Sequence, residues 1–292
     1  MVAKHFQGAK LLSHEKLTGG VSAEVTRLSL QLGDGSEHDV VLREHGLNHD
    51  GHPVELEFQI LKALYKSALK VPRPIAYETT KTVLSNHFLL LEWVEGCVKI
   101  PGHSANIRLE QMADYLSEIH WTRIPALPNL PKLIDPVAEL LAVLQASSRW
   151  DDLCLRLRRL KDMTYRDDHK LLHGDFWQGN VIWNMNGEIA AVIDWEDASL
   201  GDPVFDVACA CLELEYSYGL EGAMHFHSRY AKHMDLDPFR FALWKALAGA
   251  HADQNMGNWK LEPQREKHMR RIATAAIEEL AELVQEQAAG EN

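Results

Sequence analysis

The chain has 292 residues, 46% of them hydrophobic, with eight Trp, enough for a substantial core in one large domain or in two smaller ones with a cleft between them. A formal net charge of −12 and a pI near 5.7 argue against a nucleic-acid-binding surface and are compatible with a cationic partner. The residues after Met1 show no apolar run of a secretory leader, and no stretch has the length of a membrane span, so a cytoplasmic protein is the expectation. Cys97, Cys154, Cys209 and Cys211 match neither a metal template nor a disulfide framework, and Cys209 and Cys211 read as small core residues.

Residues 10–94 are strand-rich. A Gly-containing segment, Leu17 to Ser22 with Gly19 and Gly20, separates two strand candidates. Residues 25–32 alternate apolar and polar, Gly33-Asp34-Gly35 is a turn, and 39–42 returns as a partner strand. His38, His45, His49 and His52 fit no closed zinc template and read as a polar loop. Leu56, Ile60, Leu61 and Leu64 form a helical stripe that Pro72 and Pro74 end. Residues 82–85 and 88–91 flank Asn86 as a hairpin.

The character changes near Gly96, and the chain beyond is mostly helical. Leu109, Met112, Leu116 and Ile119 form one stripe, and Val137, Leu140, Leu141 and Leu144 form another behind Pro136. A third helix begins at Trp150-Asp151. Further helical patterns cover 204–216, 221–234, 238–252 and 264–287.

Between these helices lies the segment that carries chemistry. Residues 171–183 read Leu-Leu-His-Gly-Asp-Phe-Trp-Gln-Gly-Asn-Val-Ile-Trp, and residues 193–196 read Ile-Asp-Trp-Glu. Asn184 to Gly187 is an Asn-Gly turn between two short apolar runs, the signature of a hairpin. Asp175 and Asn180 enter that hairpin and Asp194 leaves it, so the three oxygen-bearing side chains converge. Hard cations such as Mg²⁺ take oxygen ligands and bring phosphates with them.

His173-Gly174-Asp175 with Asn180, followed by Asp194-Trp195-Glu196, resembles the paired catalytic-loop and metal-binding motifs of kinase-like enzymes, in particular the aminoglycoside phosphotransferase and choline kinase group. Gly201-Asp202-Pro203 and Asp206-Val207-Ala208 extend the resemblance, with structural roles: Asp206 caps the next helix or braces the catalytic loop. The resemblance implies an α+β, protein-kinase-like two-lobe fold, with a small antiparallel-sheet lobe over residues 1–95 and a larger helical lobe over 96–292.

It also implies a site. Asp175 is the expected catalytic base, and Asn180 and Asp194 the expected Mg²⁺ ligands. Gly19, Gly20 and Ser22 would approach the nucleotide phosphates. Arg43, at the end of a strand, stands where a protein kinase has Lys, and Glu57 on the following helix stands as its partner acid; a guanidinium fork can bind carboxylate and phosphate together. The backbone of Glu92 and Val94 is the expected hinge for the base. His173 is expected to pack or bond within its loop, and Glu196 to face solvent. His251, Asp253, Asn258 and Trp259 fall where the group binds its acceptor.

The expected activity is transfer of the γ-phosphoryl of ATP, with GTP as the alternative, to a hydroxyl of a small molecule, by a monomer or homodimer. Antibiotics such as aminoglycosides or macrolides compete as acceptors with metabolic alcohols such as choline, ethanolamine, homoserine or a sugar. A non-catalytic nucleotide-binding protein is the rival from another class.

Overall fold

The computed structural model describes residues 1–17, 23–46, 49, 51–98, 104–125, 127–133, 135–160 and 169–290. In chain order they form α1 (Val2–His5), β1 (Lys10–Leu17), β2 (Ala23–Gln31), β3 (Glu37–His45), α2 (Val54–Lys66), β4 (Pro74–Glu78), β5 (Phe88–Glu92) and α3 (Ala105–Trp121). There follow β6 (Lys132–Leu133), α4 (Pro136–Leu144), α5 (Asp151–Leu160), β7 (Lys170–Leu172), β8 (Val181–Trp183), β9 (Ile189–Val192) and β10 (Ser199–Gly201). Three long helices close the chain: α6 (Val204–Tyr230), α7 (Pro238–Asn255) and α8 (Pro263–Gly290). The fold is α+β, with an antiparallel N-terminal sheet and a helical C-terminal region. Among the described residues no helix is long and apolar enough to cross a membrane.

The chain divides into two compact units. One comprises Met1–Pro101, Thr122–Asn129 and Gly179–Asp197; the other comprises Gly102–Trp121, Leu130–Gln178 and Ala198–Asn292.

The first unit is built on an antiparallel sheet of order β1-β2-β3-β5-β4. Strand alternation sends Leu28, Leu30, Val40, Leu42, Phe88 and Leu90 to one face, where Val2 and Phe6 of the N-terminal segment pack on them. Arg43, one residue out of phase with Leu42, therefore points to the opposite face, where α2 lies. α2 opens behind Pro53 with Glu55 and Glu57 in its first turn, a placement favoured by the helix dipole.

The expected hairpin of 82–85 with 88–91 does not form. β5 instead pairs with β4, which begins at Pro74. α2 already stops at Lys66, and Pro74 instead opens an edge strand, a position that proline suits.

The β8–β9 hairpin belongs to the first unit. Trp183 and Cys97 exchange two backbone hydrogen bonds of 2.9 and 3.0 Å, and the Val192 N–H donates to the Lys70 carbonyl at 2.8 Å. Gly96 makes this docking possible. Its φ is +152°, and a Cβ there would collide with the Trp183 carbonyl oxygen and come within 2.7 Å of Ile182 Cγ2.

In the second unit, β10 pairs antiparallel with β7 and parallel with β6, a small sheet that anchors the chain on either side of the 171–183 segment. The two helices expected at 204–216 and 221–234 run together as α6, interrupted by non-helical backbone at Gly219 (φ 71°, ψ 178°). α6, α7 and α8 share a core of Leu212, Ala248, Ala252, Met256, Met269, Ile272 and Ala276. Cys211 is buried and all four cysteines are free thiols.

Gly96→Ala should destabilise the protein by roughly 2–4 kcal/mol, through backbone strain and lost hairpin docking, measurable by denaturant unfolding. An unchanged midpoint would show that the Cys97–Trp183 bridge is dispensable.

Candidate active site

The centre of the first unit's site is the Arg43 guanidinium. Nη1 donates to Glu57 Oε2 at 2.6 Å, Nη2 donates to Asp194 Oδ1 at 2.7 Å, and Nη2 also pairs with Glu196. Arg43 is 7% exposed and Glu57 is 1% exposed, so a buried cation meets three carboxylates, of which Asp194 is the partly exposed one. Burial alone would lower the Arg43 pKa, but Glu57, Asp194 and Glu196 outweigh it and the net shift is upward; the guanidinium stays charged. A Lys ammonium could not span the same partners with a planar fork.

Asp194 adopts φ 67°, left-handed backbone that Asp tolerates better than most residues. Asn180 is buried, and its carbonyl accepts from the Ile193 N–H at 2.9 Å, which ties the residues flanking the two ends of the hairpin. Asp194 and Asn180 thus offer one carboxylate and one amide oxygen. Among the described residues no three His, Cys, Asp or Glu side chains form a protein-only metal cage. Two oxygen donors fit Mg²⁺, which keeps water and phosphate in its coordination sphere.

Glu196 does not face solvent as expected from the sequence. It is 8% exposed and bound to Arg43. Two residues beyond Asp194 the chain has turned back toward the sheet, which local sequence does not reveal. The histidines expected in a polar loop also pack here: His45 and His49 rings lie 3.6 Å apart, and His45 Nε2 lies 3.2 Å from Glu57 Oε2.

The Glu92 N–H is taken by the Arg73 carbonyl at 2.9 Å, and the Trp93 N–H by the Asp39 carbonyl at 3.3 Å. Of the Glu92 backbone groups, the N–H is therefore committed. Gly19, Gly20 and Ser22 lie outside the described residues.

Asp175 belongs to the second unit. Its loop is braced by α6 at both ends. Asp206, fully buried, accepts from the His173 N–H (2.7 Å) and the Gly174 N–H (3.0 Å). Ser217 Oγ accepts from Gln178 Nε2 at 2.6 Å. His120 Nε2 lies 3.1 Å from Asp206, and His120 Nδ1 lies 2.6 Å from the Tyr230 hydroxyl, so the brace continues into α3 and the far end of α6. His173 is fully buried, and its Nδ1 accepts from the Asp175 N–H at 3.2 Å. Asp206 thus braces the loop, one of the two roles open to it in the sequence.

Between Asp206 and Ser217, on the same face of α6, lies Glu213. Burial, then the nearby Asp175 carboxylate, push its carboxyl up to about 8, with Arg265 opposing weakly. Burial, with Asp206 and Asp175 next, also holds the Cys209 thiol well above its ordinary range. Sequence reasoning passed over Glu213, although its seven-residue spacing from Asp206 puts both on one helical stripe.

Two residues expected at the acceptor wall have structural partners. Asp253 accepts from Arg270 of α8 at 2.7 Å, and Trp259 packs on the α6–α7–α8 core. Asp202 holds Arg240, Trp244 Nε1 (2.8 Å) and the Val204 N–H (3.0 Å), so the Gly-Asp-Pro segment pins α6 to α7.

This fold is that of kinase-like phosphotransferases. A protein of Ralstonia eutropha JMP134 provisionally named an aminoglycoside phosphotransferase superposes with a TM-score of 0.70 at 16% identity, covering 96% of each chain. The aminoglycoside phosphotransferase whose structure holds GDP and kanamycin superposes at 0.66 and 18% identity, covering 100% of this chain and 98% of that one. Residues 15–234 match the model of the phosphotransferase enzyme family, and the chain belongs to that family. Among curated relatives, mouse acyl-CoA dehydrogenase family member 10 is 28% identical over 186 residues, 55% of this chain and 17% of its own length. The chain spans about a fifth of the length of the curated relatives it matches.

A carboxyl whose pKa is raised in the folded state costs stability as pH rises from its unfolded value of 4.5 through about 8. Glu213→Gln should therefore match wild type in thermal stability below pH 4.5 and exceed it by on the order of 1–3 kcal/mol above pH 8. A constant difference across that range would place Glu213 in an ordinary, solvated environment.

Proposed function

We propose that this protein transfers the γ-phosphoryl group of ATP, or alternatively GTP, to a hydroxyl of a small molecule. The observation that carries the reading is the buried Arg43–Glu57–Asp194 network, which joins the strand cation, the helix acid and the metal-ligand candidate in one cluster. A structural ion pair needs one acid; this fork holds three, two of them in the Asp-Trp-Glu segment.

In this reading Asp175 orients the acceptor hydroxyl and takes its proton, with its backbone N–H fixed by His173. Its main task is positioning, which the Asp206 brace makes rigid. Arg43 turns one edge of its fork to the phosphates while Glu57 holds the other. Asn180 and Asp194 would hold Mg²⁺, which would supply charge neutralisation at the phosphate oxygens. The Glu92 and Val94 backbone would meet the nucleotide base, with the Glu92 N–H already committed to the Arg73 carbonyl. Gly19, Gly20 and Ser22 supply phosphate contacts.

The acceptor is an aminoglycoside-like antibiotic or a metabolic alcohol. The structural neighbour that holds kanamycin supports the first, and the acyl-CoA dehydrogenase relatives leave the second open. A coupled ADP-release assay with Mg·ATP and Mg·GTP against aminoglycosides, macrolides, amino alcohols, homoserine and sugars separates them. Asp175→Ala should lose turnover by roughly 10³-fold or more while binding Mg·nucleotide as wild type does. Turnover that survives this change in purified protein removes Asp175 as the base. A chain with neither stimulated ADP release nor nucleotide binding is not a phosphotransferase.

A further inference from the structure

The proposed function gives Glu196 no step of its own, yet its carboxylate is seated on Arg43 and largely buried. His49, Gly51 and His52 lie against it. The His52 N–H donates to the Glu196 carbonyl at 2.8 Å, and His49 Nε2 lies 2.8 Å from the His52 carbonyl. His49 Nδ1 lies 3.4 Å from Glu196 Oε2, and a Cβ on Gly51 would come within 2.8 Å of the Glu196 Cβ and Cγ. The carboxylate is thus pressed against Nη2 of Arg43 from behind by backbone and ring alike.

Both terminal nitrogens of the fork are engaged by protein acids: Nη1 by Glu57, Nη2 by Asp194 and Glu196. Leaving the histidines aside, three carboxylates and one guanidinium carry two net negative charges. A polyphosphate meeting this cluster finds repulsion rather than a free cation. A divalent cation held by Asp194 would cancel charge and free one of the two positions on Nη2. Glu196 stays on Nη2, where its charge opposes a polyphosphate that arrives without a cation.

We propose that Glu196 is a positioning residue that latches Arg43 and makes nucleotide binding conditional on a divalent cation, so that metal-free nucleotide is rejected. The inference rests on the nucleotide-binding reading above and adds a determinant of selectivity within it. An Arg at position 43 is integral to the device. One edge of the planar fork stays with Glu57 while the other is exchanged among Asp194, Glu196 and phosphate, which a single ammonium could not do.

The test is calorimetric titration of the full chain with a non-hydrolysable ATP analogue, with Mg²⁺ and with excess chelator. Wild type should bind the metal-free analogue far more weakly than the Mg²⁺ form. Glu196→Gln should bind the metal-free analogue roughly tenfold or more tighter than wild type, with a much smaller change for the Mg²⁺ form. Glu196→Asp, which keeps the charge, should retain the wild-type discrimination. A residue that merely supports the fold would weaken both forms together, and that outcome overturns the proposal. Wild type binding both forms equally overturns it without any variant, even if Glu196→Gln does not fold. If Mg·analogue binds and Glu196→Gln leaves metal-free affinity unchanged, the latch alone is wrong. If neither form binds wild type, the nucleotide-binding reading falls with it.

Discussion

The first unit turns on a constraint imposed by burial. A guanidinium that is almost entirely removed from water must be compensated on every accessible edge, because an unpaired charge there costs several kcal/mol. Arg43 meets that demand with acids from α2 and from the Asp194–Glu196 segment, which are far apart in sequence. The sheet, α2 and the β8–β9 hairpin must then be in register for those acids to arrive. Val192 pairing with Lys70 and Trp183 with Cys97 supply that register through backbone bonds, so the hairpin is carried by the sheet-bearing unit and not by the helices that follow it in sequence.

The second unit answers a different demand. The loop that carries Asp175 has backbone donors with no partner in helix or strand, and buried donors of that kind must be satisfied. Asp206 takes two of them, and its own burial is compensated further by His120, which in turn meets Tyr230. The loop is rigid because α3 and α6 complete its hydrogen bonding. The same rail carries Glu213, whose carboxyl is pushed up first by its own burial and then by the nearby Asp175 carboxylate.

Family membership and fold agree, and the candidate site residues divide into two groups. Those around Arg43 are held by charge. Those along α6 are held by hydrogen bonds. Their positions follow from helix packing, and relatives under 30% identical do not transmit them.

The sequence by itself determined the elements that local pattern controls. The alternation of 25–32 and 39–42 set two strands and placed Arg43 on the face opposite Leu42. The 56-60-61-64 stripe set α2, and the Asn-Gly turn set the β8–β9 hairpin. The ordered Asp175, Asn180 and Asp194 marked the candidate site because their residue types and spacing are intrinsic to the chain. Only the tertiary structure decided that β5 pairs with β4 rather than with 82–85, and that Glu196 turns inward to Arg43. It also decided that Asp253 is consumed by Arg270 and that Glu213 is perturbed by burial and then by Asp175. Each of these depends on which partner, distant in the chain, offers a compensating charge or backbone group once water is excluded. That competition is settled by packing, and periodicity along the chain carries no record of it.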